Sequence, residues 1–121
     1  MIIVHGTFPI KSEIREEAIE AMKKMAGSSR SEIGCLTYEF YVGLSNPNTI
    51  LLFQEWESVE ALERHWETSH MGDFLEQLPH LLAGEVATRR YEVRLGDESM
   101  ERVESEIQVS SNGSQQDKIV H

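Results

Sequence analysis

The chain has few residues of the kinds that mark disulfide-linked, membrane-spanning or nucleic-acid-binding proteins. Its single cysteine excludes an internal disulfide and a four-cysteine zinc site. No apolar run is long enough to cross a membrane, and the opening "MIIVHG" lacks the basic segment of a signal peptide. The net charge is -10, which argues against nucleic acid or an anionic membrane surface as a partner. We therefore expect a cytoplasmic protein that binds small molecules or other protein chains.

The composition changes after Arg94, so the 121 residues are predicted to form one domain and a tail. Residues 2–93 have clear periodicity and contain all the aromatic side chains. Residues 95–121 have an excess of acidic residues and the polar stretch "SSNGSQQD". This composition predicts a flexible acidic tail. The alternating stretch "VESEIQV" within it could instead add a strand to the edge of a sheet.

The hydrophobic pattern before the tail predicts four strands and two helical regions. The strand "IIVHGTFP" closes at Pro9, and a helix capped by Ser12 is expected to stop at Gly27. The strands "CLTYEFYVG" and "TILLFQEW" are joined by the turn "LSNPN". Ser58 caps the next helix, the pattern resets at Thr68–Gly72, and "EVATRRYEV" is the last strand. The order β-α-β-β-α-β is that of an α+β ferredoxin-like fold with an antiparallel sheet.

The two strands of the central hairpin have apolar side chains on both faces. One face of the first strand is expected to carry Leu36, Tyr38, Phe40 and Val42, and the other Cys35 and Tyr41. The second strand has Ile50, Leu52 and Trp56 on one face and Leu51 and Phe53 on the other. Two helices can cover only one face of an antiparallel sheet. The second apolar face therefore predicts a homodimer.

Two histidines and both tryptophans lie in "EWESVEALERHWETSHMGDF". Trp66 is on the same helical stripe as Leu62, so we expect it to pack against the sheet. His65 and His70 would point about 140° apart on a continuous helix, but a break near Thr68 would let both reach one cavity. The motif His-Glu-x-x-His is absent, and neither a cysteine pair nor a nearby aspartate completes a ligand set. We therefore expect no metal site.

Glu55 follows Leu51 and Phe53 along one face of a strand that is expected to be well buried. A carboxylate in that position must be paired, protonated or functional. Glu55 therefore either forms an ion pair with Arg89 or Arg90 or serves as a catalytic group. Arg89 could alternatively contact an anionic group of a ligand. No Gly-rich phosphate loop, dinucleotide fingerprint or Ser-His-Asp set is present, so no cofactor is expected.

Three short motifs of the chain resemble the antibiotic-biosynthesis-monooxygenase family, in particular its quinol-monooxygenase-like branch. The family pattern has Glu-x-Gly-Cys entering the second strand, Glu-Trp-x-Ser ending the third, and Ala-Leu-x-x-His-x-x-Thr-x-His on the helix. The matching residues are Glu32, Gly34 and Cys35, then Glu55, Trp56 and Ser58, then Ala61, Leu62, His65, Thr68 and His70. The resemblance covers about residues 2–93 and leaves the tail unexplained.

The resemblance implies ferredoxin-like subunits that pair as a dimeric α/β barrel. It also implies a cofactor-independent monooxygenase that acts on a quinol or polycyclic phenol with O₂, in which a protein base helps to form the substrate anion. The implied base or proton relay is His65 or Glu55, with His70 at the edge of the pocket. Candidates for packing against the substrate ring are Tyr38, Phe53 and Trp66.

Two other functions stay open on the sequence. The same base and pocket could catalyse isomerisation or another proton transfer on a small carbonyl compound. A non-catalytic dimer could also use the pocket to bind a metabolite.

Overall fold

The computed structural model describes residues 1–94. The elements are β1 (Ile2–Pro9), α1 (Arg15–Arg30), β2 (Cys35–Val42), β3 (Thr49–Trp56), α2 (Val59–Trp66), α3 (Ser69–Leu81) and β4 (Ala87–Glu92), with one turn of 3-10 helix (Ser12–Ile14) before α1. The predicted tail at 95–121, with its stretch "VESEIQV", lies outside the described residues. No helix within residues 1–94 combines the length and the apolar character needed to cross a bilayer.

The four strands form one antiparallel sheet in the order β2-β3-β1-β4. The first and third strands are therefore central, and the helical segments that connect the strands pack across one face. This is the ferredoxin-like α+β arrangement predicted from the order of the elements.

The first helix differs from the sequence expectation at both of its ends. The Ser12 side chain caps no helix; it begins the 3-10 turn, and the α-helix starts at Arg15. The helix does not stop at Gly27 but continues to Arg30. A glycine inside a helix costs about 1 kcal/mol relative to alanine, and the buried residues Ala26 and Ser29 on either side hold this last turn against the core. Tertiary packing has overridden the local stop signal.

The hydrophobic core lies between the sheet and the helices. The sheet contributes Ile2, Phe8, Tyr38, Ile50, Leu52 and Trp56, and the helices contribute Ala18, Met22, Met25, Ala61, Leu62, Met71, Phe74 and Leu81. Two predicted placements are wrong. A register shift between Cys35 and Thr37 turns Cys35 toward the core and leaves Leu36 50% exposed. Trp66 is 55% exposed, because α2 buries Ala61, Leu62 and His65 and thereby turns its last residue toward solvent.

The other face of the sheet carries apolar side chains that no described helix covers. The strand register places Leu51 opposite Tyr41, and Ile3 opposite both Glu55 and Tyr91. Tyr41 is 50% exposed, Tyr91 46% and Leu51 37%. We call this surface the open face. It matches the two-sided apolar pattern that was expected of the hairpin.

Candidate functional site

Two histidine side chains from separate helices contact the same carboxylate oxygen of Glu32. Nδ1 of His65 lies 2.8 Å from Oε2 of Glu32, and Nε2 of His70 lies 2.6 Å from the same oxygen. An ionised carboxylate accepts hydrogen bonds and donates none, so both ring nitrogens are the donors. This geometry assigns to neutral His65 the tautomer with its proton on Nδ1. Its Nε2 then carries a lone pair that points away from Glu32.

The loop between α1 and β2 carries Glu32 to the histidines. Gly34 in this loop has a φ of +91°, a conformation that L side chains rarely adopt. A Cβ atom at Gly34 would lie 2.6 Å from Cβ of Ala61 on α2, which is too close for any side chain. The loop also bonds to the start of α2, since the Gly34 carbonyl accepts a hydrogen bond of 2.8 Å from the Glu57 amide. Glycine is therefore required here for the loop to approach the second helix.

The bend between α2 and α3 brings the two histidines together. Ser58 caps the second helix, since its hydroxyl accepts a 3.1 Å hydrogen bond from the Ala61 amide. Thr68 occupies the bend: its hydroxyl donates to the His65 carbonyl at 2.8 Å and accepts from the Met71 amide at 3.2 Å. The expected cap and break are thus confirmed. They place His65 in the last turn of α2 and His70 in the first turn of α3.

His65 is a buried and neutral base. It is 1% exposed, and its Nε2 has no hydrogen-bond partner among residues 1–94. Burial lowers the pKa of His65, and this effect exceeds the opposing influence of the Glu32 carboxylate. Neutral imidazole is consequently the favoured form at pH 7. In that form Nε2 can accept a proton, while Nδ1 remains bonded to Glu32.

Aromatic side chains surround the buried histidine. Its ring centroid lies 4.7 Å from that of Trp56 and 5.4 Å from that of Tyr38. Nε1 of Trp56 donates a 2.7 Å hydrogen bond to Gln54, which holds the indole in place. Burial raises the pKa of the Tyr38 phenol well above its ordinary range, so this hydroxyl stays protonated. Trp66 contacts His65 from the solvent side, at a centroid distance of 6.4 Å.

The remaining predicted site residues lie on the open face, away from His65. Glu55 accepts a 2.6 Å hydrogen bond from the Thr37 hydroxyl on the neighbouring strand. The ion pairs found within the described residues include none between Glu55 and Arg89 or Arg90, so this expected pairing is replaced by the bond to Thr37. Phe53 lies on the same face, and Arg89 is exposed on the outer strand β4.

Two cavities of the described structure lie against the middle of α1. One, of about 330 Å³, lies between α1 and the hairpin strands and is mainly apolar, with Met22, Phe40 and Ile50 in its lining. The other, of about 220 Å³, lies between α1 and α3 and is lined by His70, Lys24, Asp73 and Glu76, among others. His65 lines neither cavity. The second one gives solvent access to the side of the cluster on which His70 lies.

Glu32 is the functional candidate that sequence reasoning about chemistry missed. It lies 33 residues before His65 and precedes a strand, so helical periodicity does not connect the two. The sequence feature that could have indicated Glu32 is the pattern Glu-x-Gly-Cys, because its glycine, Gly34, allows the loop to pack closely against α2. The Glu32, His65 and His70 side chains also offer three possible metal-ligand atoms, which all lie within 4.8 Å of one another.

Comparisons with known proteins agree with this fold and these motifs. A family model described as "Antibiotic biosynthesis monooxygenase" matches residues 1–77. An uncharacterized protein of Synechocystis is 34% identical over 92 residues, which span 76% of this chain and 63% of that relative. "Putative monooxygenase YcnE" of Bacillus subtilis is 27% identical over 77% of this chain and 98% of its own length.

A solved structure extends the likeness to three dimensions. A "putative antibiotic biosynthesis monooxygenase" from Deinococcus radiodurans superposes with a TM-score of 0.74 at 26% identity, and the match covers 78% of this chain and 93% of that one. The region matched by the family model, residues 1–77, contains all of α2 and the first part of α3, and so includes both histidines. The chain belongs to the antibiotic biosynthesis monooxygenase family.

Proposed function

We propose that the protein is a cofactor-independent monooxygenase that oxidises a quinol or a polycyclic phenol with O₂. The observation that supports this most directly is the Glu32 carboxylate, which His65 and His70 share, next to Nε2 of His65, which has no hydrogen-bond partner within residues 1–94. Membership of the family supplies the reaction class. The cluster provides a base that can take a proton from the substrate and a path by which this proton can reach solvent.

In this proposal Nε2 of His65 removes the phenolic proton of the substrate. The resulting imidazolium is stabilised by Glu32, which also holds the ring in the tautomer that keeps Nε2 available. His70 bonds to the same oxygen and its side chain is 25% exposed, so it connects the buried pair with solvent. The lowered pKa of His65 keeps the base neutral at pH 7, and the aromatic surroundings exclude water.

The electrons in this reaction come from the substrate itself. The substrate anion passes one electron to O₂, and the two radicals combine into a peroxide on the ring. Loss of water from this peroxide leaves one oxygen atom in the product and the other in water. Overall, a quinol and O₂ give a hydroxyquinone and one molecule of water, so the reaction needs no external reductant.

Substrate binding has to open the interior beside His65, because this residue is 1% exposed and does not line either of the two cavities described above. The bend at Thr68 and the exposed Trp66 are on the solvent side of the ring, so we place the entrance there. Trp56, which packs on the ring at 4.7 Å, would report the opening. In a Trp66→Phe variant, Trp56 is the one remaining tryptophan, and its fluorescence should change when a quinol binds.

We further propose that two chains associate through their open faces. Exposed apolar side chains on that surface, such as Tyr41, Leu51 and Tyr91, support this association. The paired sheets would form the dimeric α/β barrel, and Glu55, Phe53 and Arg89 would then contribute to the subunit contact or to a ligand near it. The single half-buried cysteine, Cys35, is consistent with a cytoplasmic location.

A proton-transfer reaction without O₂ is a second candidate. The relay of Glu32 and two histidines supports it directly, since moving a proton between two positions of a small carbonyl compound requires only a base and an exit route. Oxygen consumption with a panel of quinols and polycyclic phenols distinguishes the two candidates. Uptake of O₂ supports the oxygenase, whereas exchange of substrate protons with solvent without uptake supports proton transfer.

Two matched substitutions test which residue is the base. His65→Gln should lower kcat by about 10²–10⁴-fold, the range typical of general acid–base catalysis. Glu55→Gln, which is equally conservative and lies on the open face, should stay within about threefold of the wild type, well below that range. The reverse result would move the base to the strand. Wild-type rates in both variants, with the fold intact by circular dichroism, would mean that neither residue is the base. Substrate binding without turnover in the wild type would leave a metabolite-binding protein as the better description.

A third substitution tests the role of His70. His70→Ala should mainly raise KM, because water can take the place of this partly exposed side chain in carrying the proton to solvent, whereas the binding that His70 provides is equal in the ground and transition states. A kcat loss as large as that of His65→Gln would instead make His70 part of the chemical step.

A further inference from the structure

We propose that Glu32, His65 and His70 form a binding site for a first-row divalent transition-metal cation such as Zn²⁺. The ligand atoms are Oε2 of Glu32, Nδ1 of His65 and Nε2 of His70, and all three lie within 4.8 Å of one another. The sequence pattern lacked an acidic partner for the two histidines. Glu32, brought in by the α1–β2 loop, is that partner.

The distances in the cluster are close to those of a coordinated ion. Zinc binds histidine nitrogen at about 2.0–2.1 Å and carboxylate oxygen at about 2.0–2.2 Å, so neighbouring ligands of a tetrahedral ion are about 3.3–3.5 Å apart. The two nitrogen–oxygen distances here are 2.8 and 2.6 Å. Each nitrogen–oxygen pair therefore has to separate by somewhat less than 1 Å, and the two nitrogens, which lie within 4.8 Å of each other, have to reach the same spacing. Rotation of the Glu32 side chain, which lies in a loop, can supply this movement.

Metal binding changes the tautomer of His65 but adds no buried unpaired group. With the proton on Nδ1, the Nε2 lone pair has no partner in the described part of the chain. Coordination through Nδ1 would move the proton to Nε2, which would then be a donor without a partner. The number of unpaired buried atoms is the same in both states. Because ligand histidines usually donate their second N–H to a partner, we expect an exchangeable ion rather than a permanent structural one.

The composition of the site favours a metal with an open coordination position. Two histidines and one glutamate are the ligand set of several catalytic zinc sites, and two histidines with one carboxylate also hold non-haem Fe²⁺. The exposure of the side chains rises from 1% for His65 to 12% for Glu32 and 25% for His70. The fourth position would therefore face His70 and the adjacent cavity, whose lining has two carboxylates, Asp73 and Glu76, against one ammonium group, Lys24.

A bound ion would alter the proton relay described above. It would occupy Nδ1 of His65, the atom through which Glu32 orients the ring. If the proposed function is correct, the metal-loaded protein would lose oxygenase activity. The test below measures binding alone, so a failure of the metal site and a failure of the oxygenase are distinguished.

The chain offers a matched control for this site. His80 and Glu17 form another histidine–glutamate pair, with Nε2 of His80 3.2 Å from Oε2 of Glu17. This pair is exposed and belongs to no group of three metal-ligating side chains within residues 1–94. His80→Ala therefore removes an exposed histidine and its contact with Glu17 but leaves all three proposed ligands in place.

The experiment uses the full chain, treated with a chelator, dialysed and titrated with ZnCl₂ at pH 7.5 by calorimetry. One Zn²⁺ should bind per chain, and the melting temperature should rise with Zn²⁺ concentration. Glu32→Gln and His70→Ala should each weaken binding by more than about 100-fold, since loss of an outer hydrogen-bond partner alone costs 10–100-fold. His80→Ala should leave the affinity unchanged.

Two further readouts keep the proposal testable if one variant folds poorly. Nitrogen chemical shifts of His65 should show its proton moving from Nδ1 to Nε2 when Zn²⁺ is added, and Co²⁺ should give the visible absorption of a four-coordinate site. Absence of saturable binding below about 1 mM, where the binding free energy would be weaker than about −4 kcal/mol, would overturn the proposal. Binding that survives Glu32→Gln and His70→Ala but is lost in His80→Ala would also overturn it.

Discussion

The Glu32→Gln substitution should destabilise the fold although it keeps the size and shape of the side chain. Oε2 of Glu32 accepts from Nδ1 of His65 at 2.8 Å and from Nε2 of His70 at 2.6 Å. Glutamine can offer a carbonyl oxygen to the same two donors, but it carries no charge. The substitution therefore weakens both hydrogen bonds without removing the atoms that make them.

The expected loss follows from two opposing contributions. A hydrogen bond to a charged group contributes about 1.5–3 kcal/mol and a neutral one about 0.5–1.5 kcal/mol, so two bonds together lose about 2 kcal/mol. The Glu32 side chain is only 12% exposed, so folding removes most of its contact with water. Because burying a neutral amide costs less free energy than burying a carboxylate, the substitution recovers part of the lost stability. The net destabilisation should be about 1–2 kcal/mol. For a domain of this size it lowers the melting temperature by roughly 5–15 °C.

Urea unfolding and thermal melting, at one fixed protein concentration and in the presence of a chelator, measure this difference. Glu39→Gln is the control, because Glu39 pairs with Arg30 on the surface, where both side chains are about half exposed. Exposed ion pairs contribute about 0–1 kcal/mol, so the control should change stability little. Equal stability of Glu32→Gln and the wild type would refute the reasoning, since the shared carboxylate would then contribute no more than a neutral group.

The remaining predictions concern pH, assembly and the C-terminal residues. Burial lowers the pKa of His65, so between that pKa and about 6.5 the unfolded chain binds a proton that the folded chain does not. The resulting stabilisation is present above about pH 6.5 and is lost as the pH falls through the lowered pKa. Urea unfolding at several pH values should therefore show that the free energy of unfolding falls less steeply with decreasing pH in His65→Gln than in the wild type. The same pH dependence in both proteins would contradict this. Analytical ultracentrifugation of the wild type should give about twice the monomer mass. Phe53→Asp on the open face should yield monomers, whereas the control Leu75→Asp on α3 should remain dimeric. A wild-type monomer at micromolar concentration would refute the dimer. Deletion of residues 97–121, chosen for their acidic and polar composition, should shift the melting temperature by only a few degrees, and unfolding or dissociation of the truncated protein would contradict this.

Local patterns in the chain predicted the fold well because they act over short distances. The Asn-Pro turn, the cap at Ser58 and the break at Thr68 each depend on hydrogen bonds between residues two to four positions apart. The alternation of the strands and the order of the elements then leave few topologies for a chain of this length. Gly27 was misread because a local stop signal of about 1 kcal/mol is smaller than the energy of burying the residues beyond it.

The candidate site was only partly predictable from the sequence. The spacing of His65 and His70, together with the break between them, predicted that both could reach one cavity. The structure brings both to the Glu32 carboxylate, but only His70 lines a cavity of the described residues. Their shared partner was not recognised, because Glu32 precedes a loop whose path depends on the contact between Gly34 and Ala61. Glu55 appeared equally suited to be the base, but strand geometry alone does not say on which side of the sheet the helices pack.

The sequence by itself determined the ferredoxin-like order of the elements, the helix cap at Ser58 and the acidic charge of this protein, because each depends on local propensity or on residue composition. Only the tertiary structure decided which face of the sheet the helices cover. That choice buried His65 beside Tyr38 and Trp56 and exposed Trp66, and it placed Glu55 on the open face. The physical reason is that the close packing of Gly34 against Ala61 joins segments far apart in the chain, and no periodicity within either segment encodes that contact.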